Sequence, residues 1–133
     1  MTRVRDAMVS EPLSLDAAAS AQEAGTRLAD PDVRAVLVCS DGEFVGVVTR
    51  KTLVREIVAA GRNPASTRLG EIAEPPIFTL DADRPLEQAF HEIEDRDLER
   101  VPVTEHGRLV GILSRAVVQR RLAEDEPVPG EVT

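Results

Sequence analysis

A chain of 133 residues and 14.4 kDa has room for one compact core, and 42% hydrophobic against 30% charged residues is ordinary for a globular protein. Three Phe and no Tyr or Trp leave that core to Val, Leu, Ile and Ala. A net charge of −8 and a pI near 4.8 argue against nucleic acid, whose non-specific binding needs a clustered basic face. The single cysteine, Cys39, excludes an internal disulfide and a cysteine-cluster metal site.

The opening "MTRVRDAMVSEPLSL" holds no apolar run of signal-peptide length, and no stretch approaches a membrane span. No membrane insertion is expected, and the expected location is cytoplasmic. An extended piece at Leu13–Leu15 precedes "SAQEAGTRLAD", a helix weakened by Gly25. "AVLVCSDGEFVGVV" reads as a hairpin turning at Asp41-Gly42. A closing helix is expected from Lys51 to Ala60, ended by Gly61. After the polar joint "GRNPASTR", a second extended piece falls at Ile77–Leu80. In "PLEQAFHEIED" Leu86, Ala89, Phe90 and Ile93 share one helical face, and Pro85 suits a first turn. "RVPVTEHGRLVGIL" turns at His106-Gly107, and a helix follows from Ala116 to Ala123. The acidic end "EDEPVPGEVT" reads as a frayed tail.

The second series repeats the first at one constant offset, without a gap. Leu15-Asp16-Ala17 returns as Leu80-Asp81-Ala82, and Val36 and Val38 return as Val101 and Val103. Gly42, Val45, Gly46, Arg50 and Arg55 return as Gly107, Val110, Gly111, Arg115 and Arg120. The chain is a tandem duplication of a β-α-β-β-α unit: repeat 1 over 1–62, a linker over 63–68, repeat 2 over 69–123 and a flexible tail over 124–133. A unit of about sixty residues is marginal alone. The expected fold class is therefore α+β, with the two repeats packed sheet against sheet about a pseudo-twofold axis.

Two copies of "hydrophobic-Gly-hydrophobic-hydrophobic-Ser/Thr-Arg" after a glycine turn, with the lead-in "RVRDAMVSEPLSLD" and with "ERVPVTEHGRLVGILSR", resemble a pair of cystathionine-β-synthase (CBS) domains, a Bateman module. The resemblance covers about residues 3 to 123 and implies a regulatory binding module, not an enzyme. It implies AMP, ADP, ATP or S-adenosylmethionine as ligand in clefts between the repeats, with no cofactor required. It also implies a homodimer and a regulated enzyme or transporter as partner. Position by position it places Ser14 and Thr79 near the adenine or ribose. Val36, Val38, Val101, Pro102 and Val103 would wall the adenine slot, and Thr49 and Ser114 match the hydroxyl of a Ser/Thr-x-x-Asp pattern. The aspartate of that pattern is missing from both copies, replaced by Thr52 and Val117.

Chemistry supports the same positions from below. Phosphate asks for a hydroxyl and for arginines that bond bidentately, and Thr49-Arg50 and Ser114-Arg115 stand where a strand hands over to a helix. The same hydroxyls could equally cap the closing helices. Arg34, Arg100 and Arg120 add positive charge locally or belong to a solvated face. His91, flanked by Glu87 and Asp95, lacks the second histidine or cysteine that a metal site needs, so no metal is expected. No nucleophile-base-orienter set is present in the sequence pattern. The rival reading is a ligand-free CBS-like scaffold for dimerisation or partner docking.

Overall fold

Both glycine turns form as the sequence requires. Asp41 and Gly42 adopt φ of 52° and 84°, His106 and Gly107 of 54° and 79°. Two successive left-handed residues match the twist of a tight hairpin. The computed structural model describes residues 1–10, 12–76 and 78–125.

The chain opens with α1 (Val4–Ala7), β1 (Val9–Ser10), β2 (Ser14–Asp16) and α2 (Ala21–Leu28). The first hairpin, β3 (Val36–Ser40) and β4 (Glu43–Val48), leads to α3 (Arg50–Leu53). Next come α4 (Leu69–Ile72), β5 (Leu80–Asp81) and α5 (Leu86–Asp95). The second hairpin, β6 (Arg100–Glu105) and β7 (Arg108–Ser114), leads to α6 (Arg115–Asp125). Each repeat thus has the expected β-α-β-β-α order, and each also has a short lead-in helix, α1 or α4, that the sequence pattern did not signal.

Three expectations shift at their edges. The closing helix of repeat 1 is regular only to Leu53; over Val54–Val58 its turns widen, with the Ala59 N–H donating to the Val54 carbonyl at 2.8 Å and Arg62 to Ile57 at 3.0 Å. The second extended piece is confined to Leu80–Asp81, and Ile77 lies outside the described residues. Helix α6 includes Glu124 and Asp125, which the sequence assigned to the tail, while the rest of that tail, 126–133, lies outside the described residues.

The chain folds into two units. One comprises Pro12–Ile77 and His106–Leu109; the other comprises Met1–Glu11, Phe78–Glu105 and Val110–Thr133. In the first, β2 pairs parallel with β3 (Leu15 opposite Val38), and β3 pairs antiparallel with β4, with a register shift after Val38. In the second, β5 pairs parallel with β6 (Leu80 opposite Val103), β6 lies beside β7, and β1 adds antiparallel to β7. Leu15 opposite Val38 and Leu80 opposite Val103 are the same pair in the two copies.

Each unit takes its lead-in from the other repeat. Val4 N–H donates to the Arg84 carbonyl and Leu69 N–H to the Ala19 carbonyl, both at 2.9 Å. Arg5 donates to Ala82 and Gly70 to Ala17; Leu86 donates to Thr2 and Ala21 to Thr67. The offset that carries Leu15 onto Leu80 exchanges the two bonds of every pair, so the duplication governs contacts as well as sequence. Val4 is fully buried with Leu80, Leu86 and Ile93, while Leu69 is fully buried with Val36, Val38 and Val48. Burying an aliphatic side chain contributes about 1.5–3 kcal/mol, so the borrowed helices are part of each core.

The motif glycine is where the lead-in passes. A Cβ on Gly46 would lie 2.8 Å from the Glu74 carbonyl oxygen and 2.9 Å from the Ala73 Cβ. One on Gly111 would lie 2.8 Å from the Val9 carbonyl oxygen and 2.6 Å from the Met8 sulfur. Glu74 and Val9 are again equivalent positions. Glycine is present twice because a second backbone runs over the strand at that point.

Candidate functional site

In the first-repeat unit the motif ends in a reciprocal cap. The Thr49 hydroxyl accepts from the Thr52 N–H at 3.3 Å, and the Thr52 hydroxyl accepts from the Thr49 N–H at 3.1 Å. Capping is therefore one real role of Thr49. Thr52 is fully buried, and a buried hydroxyl must find partners. It donates to Glu74 Oε1 at 3.3 Å.

Glu74 is the functional candidate that sequence reasoning missed. Its backbone pairs with Val47 in both directions, N–H to carbonyl at 2.8 and 2.9 Å, which fixes the side chain beside Thr52. Arg55 pairs with the same Oε1. The Arg55 hydrogen bond, opposed by partial desolvation and aided by the Arg55, Thr52 and Lys51 contributions, holds the Glu74 carboxyl below its ordinary range. The guanidinium of Arg55 is raised in turn, first by Glu74 and then by Glu56. The group therefore stays anionic through neutral pH, and the pair is lost only as pH falls through the lowered Glu74 value. The resemblance implies a carboxylate at position 52, where this chain has Thr52; the fold brings Glu74 beside it from the segment that follows α4.

The second-repeat unit differs at the same place. Val117 stands for Thr52 and Val9 for Glu74, and Val9 is 57% exposed. No hydroxyl and no carboxylate occupy those two positions. A cleft of about 310 Å³ nearby is lined by Asp6, Ala7, Val117, Arg120, Arg121 and Glu124.

The two motif arginines already hold protein groups. Arg50 Nη2 donates to the Asp30 and Val33 carbonyls at 2.8 Å each, tying down the loop before β3. Arg115 Nη1 donates to Asp97 Oδ1 at 3.0 Å, and Glu99 and Glu94 lie at 3.7 and 4.0 Å from its guanidinium. Arg115 has 21% of its side chain exposed against 92% for Asp97, so the cation is the sheltered partner.

Val36, Val38, Val101 and Val103 are completely buried in the two cores, so any ligand along β3 or β6 meets backbone and the half-buried Pro102 rather than these side chains. Ser14 is exposed on β2, Arg100 is exposed at the start of β6, and Thr79 and Ser114 are half-buried. Ser14, Thr49, Arg50 and Thr52 belong to one unit, and Thr79, Arg100, Ser114 and Arg115 to the other.

Among the described residues, no group of three or more His, Cys, Asp or Glu is placed to hold a metal, and no helix is long and apolar enough to cross a membrane. Cys39 is half-buried opposite Asp16; desolvation first, and the Asp16 charge second, push its thiol up.

Two β-α-β-β-α units with the same register and the same glycine crossing define a tandem CBS-domain protein. The CBS domain family model matches residues 4–59 and 69–124, and the chain belongs to that family. It is 30% identical over 125 residues to Hypoxic response protein 1 of Mycobacterium tuberculosis, spanning 93% of this chain and 87% of that one. Protein YlbB of Bacillus subtilis is 29% identical over 116 residues, 86% of this chain and 78% of its own. Among solved structures, Hypoxic Response Protein I with two coordinated zinc ions superposes with a TM-score of 0.75 at 28% identity, covering 90% of this chain and 98% of that one. CBSX2 in complex with AMP gives 0.74 at 22% identity, covering 96% and 100%, a likeness of fold.

Proposed function

We propose that the chain is a regulatory module, not an enzyme, that senses an adenine nucleotide or another adenosyl ligand at the strand-to-helix junctions of its CBS repeats. The observation that carries this reading is the Thr49, Thr52 and Glu74 cluster flanked by Lys51 and Arg55. It offers the half-buried Thr49 hydroxyl, a carboxylate acceptor held by the buried Thr52, and cations within one unit. These are the groups that a ribose and a phosphate require. Ser14 on β2, the β3 backbone and Arg50 complete that set; Thr79, Arg100, Pro102, Ser114 and Arg115 form its counterpart. CBSX2 is described in complex with AMP, and the CBS pair of MJ0100 with 5'-methylthioadenosine and S-adenosyl-L-methionine, and both share this fold. The module acts on a regulated enzyme or transporter in the cytoplasm by binding its ligand better in one packing than in another.

The module works as a homodimer. Val54 and Val58 are 59% and 73% exposed beside a groove lined by Gly25, Leu53 and Ile57, and exposed apolar patches mark interfaces.

A second reading, a ligand-free scaffold, draws on the second-repeat unit, where Arg115 faces three carboxylates and Val117 offers no hydrogen bond. Thermal unfolding with AMP, ADP, ATP, adenosine and S-adenosylmethionine separates the two. A ligand at a hundred times its Kd adds about 2.7 kcal/mol to stability. A panel without any shift at millimolar ligand favours the scaffold.

A further inference from the structure

We propose that Glu74 is the residue through which the first-repeat unit recognises a vicinal diol, so that the two repeats differ in selectivity: the first distinguishes ribose from deoxyribose and the second does not. This rests on the nucleotide reading above and deepens it.

Three observations converge on Glu74. Its position is over-determined, because the two backbone bonds to Val47 hold the residue and the absent side chain of Gly46 lets it pass. Its carboxylate is half engaged. The bonds from Thr52 and Arg55 both end on Oε1, and no described residue bonds to Oε2. Its side chain is 47% exposed, so the carboxylate group lies at the surface. A carboxylate with one oxygen anchored and the other presented is a pre-organised acceptor for adjacent hydroxyls.

Arg55 and Lys51 add a further property. They keep the acceptor ionised, and their own charge sits where an anionic ligand would otherwise be repelled by Glu74. The same position in the second-repeat unit is Val9, followed across the site by Val117. Two valines give a sugar hydroxyl nothing to bond to, so loss of a hydroxyl there costs no affinity.

Calorimetry of the full chain with AMP and with 2'-deoxy-AMP tests this. Wild-type protein should show one site preferring AMP by about ten- to hundredfold, the range for a hydrogen bond to a charged group. Glu74→Ala should bring that ratio close to one by weakening AMP more than 2'-deoxy-AMP, which keeps only the 3'-hydroxyl for the carboxylate to lose, with circular dichroism confirming the fold. Val9→Glu with Val117→Thr should create the same preference at the second site; Val9 is exposed, so the change is compatible with folding. Equal binding of both nucleotides by wild type, or a preference that survives Glu74→Ala, overturns the assignment of Glu74 alone. Binding of neither nucleotide overturns the nucleotide reading, and this inference with it.

Discussion

Replacing Gly46 by alanine and Gly25 by alanine should move stability in opposite directions. At Gly25, inside α2, the added Cβ would meet only Leu53 Cδ1 at 3.7 Å, an ordinary contact. A helical glycine costs about 0.8–1 kcal/mol relative to alanine, so Gly25→Ala should stabilise by up to that amount. At Gly46 the Cβ would press on the Glu74 carbonyl oxygen at 2.8 Å, and that oxygen is backbone and cannot rotate away. Relief requires the 73–74 segment to lift, breaking two bonds to Val47. Two backbone hydrogen bonds are together worth about 2 kcal/mol, and overpacking adds about 1–3 kcal/mol. Alanine's better strand propensity returns about 0.5–1 kcal/mol. The net expectation for Gly46→Ala is a loss of about 2–4 kcal/mol. Urea unfolding gives both values, and amide exchange at Val47 and Glu74 should lose protection in Gly46→Ala only. A Gly46→Ala protein as stable as wild type would refute the claim that the lead-in backbone dictates this glycine.

Leu69→Ala, deleting the fully buried side chain that repeat 2 lends to the first-repeat unit, should destabilise by about 2–5 kcal/mol in the same urea assay; a loss below about 1 kcal/mol would mean that α4 is peripheral to the core. Light scattering at micromolar concentration should return a dimer for wild type and a smaller particle for Val54→Asp with Val58→Asp; a wild-type mass of 14.4 kDa would count against the dimer. Cys39 should alkylate with iodoacetamide more slowly than an unhindered thiol at pH 8, with a rate profile whose midpoint lies above that of free cysteine. The folded-state thiol is raised, so less thiolate is present at any given pH; a midpoint at or below that of free cysteine would contradict its burial.

The repeat, both hairpins and the strand-to-helix placement of Thr49 and Ser114 were legible because they are local: a glycine pair sets a turn, and alternating valines set a strand. The constant offset between the copies carried each reading from one to the other. Lead-in helices α1 and α4 were not legible, since four residues give no helical period and their apolar partners lie far along the chain. Position 52 shows the same limit. A missing aspartate is a local fact, whereas Glu74 reaches Thr52 only because a backbone segment crosses at Gly46. Nor could sequence reveal that Arg50 and Arg115 hold protein groups, because their partners depend on how two loops fold back.

The crossed lead-ins bear on what a proteolytic cut would do. A nick in the exposed stretch around Asn63 separates the two repeats in covalent terms, yet each fragment leaves its opening helix in a unit whose body belongs to the other fragment. Neither half can be withdrawn without opening both cores. The nicked protein should therefore persist as an interlocked pair under native conditions, and separately made halves should recover structure only when mixed, each serving as the missing piece of the other.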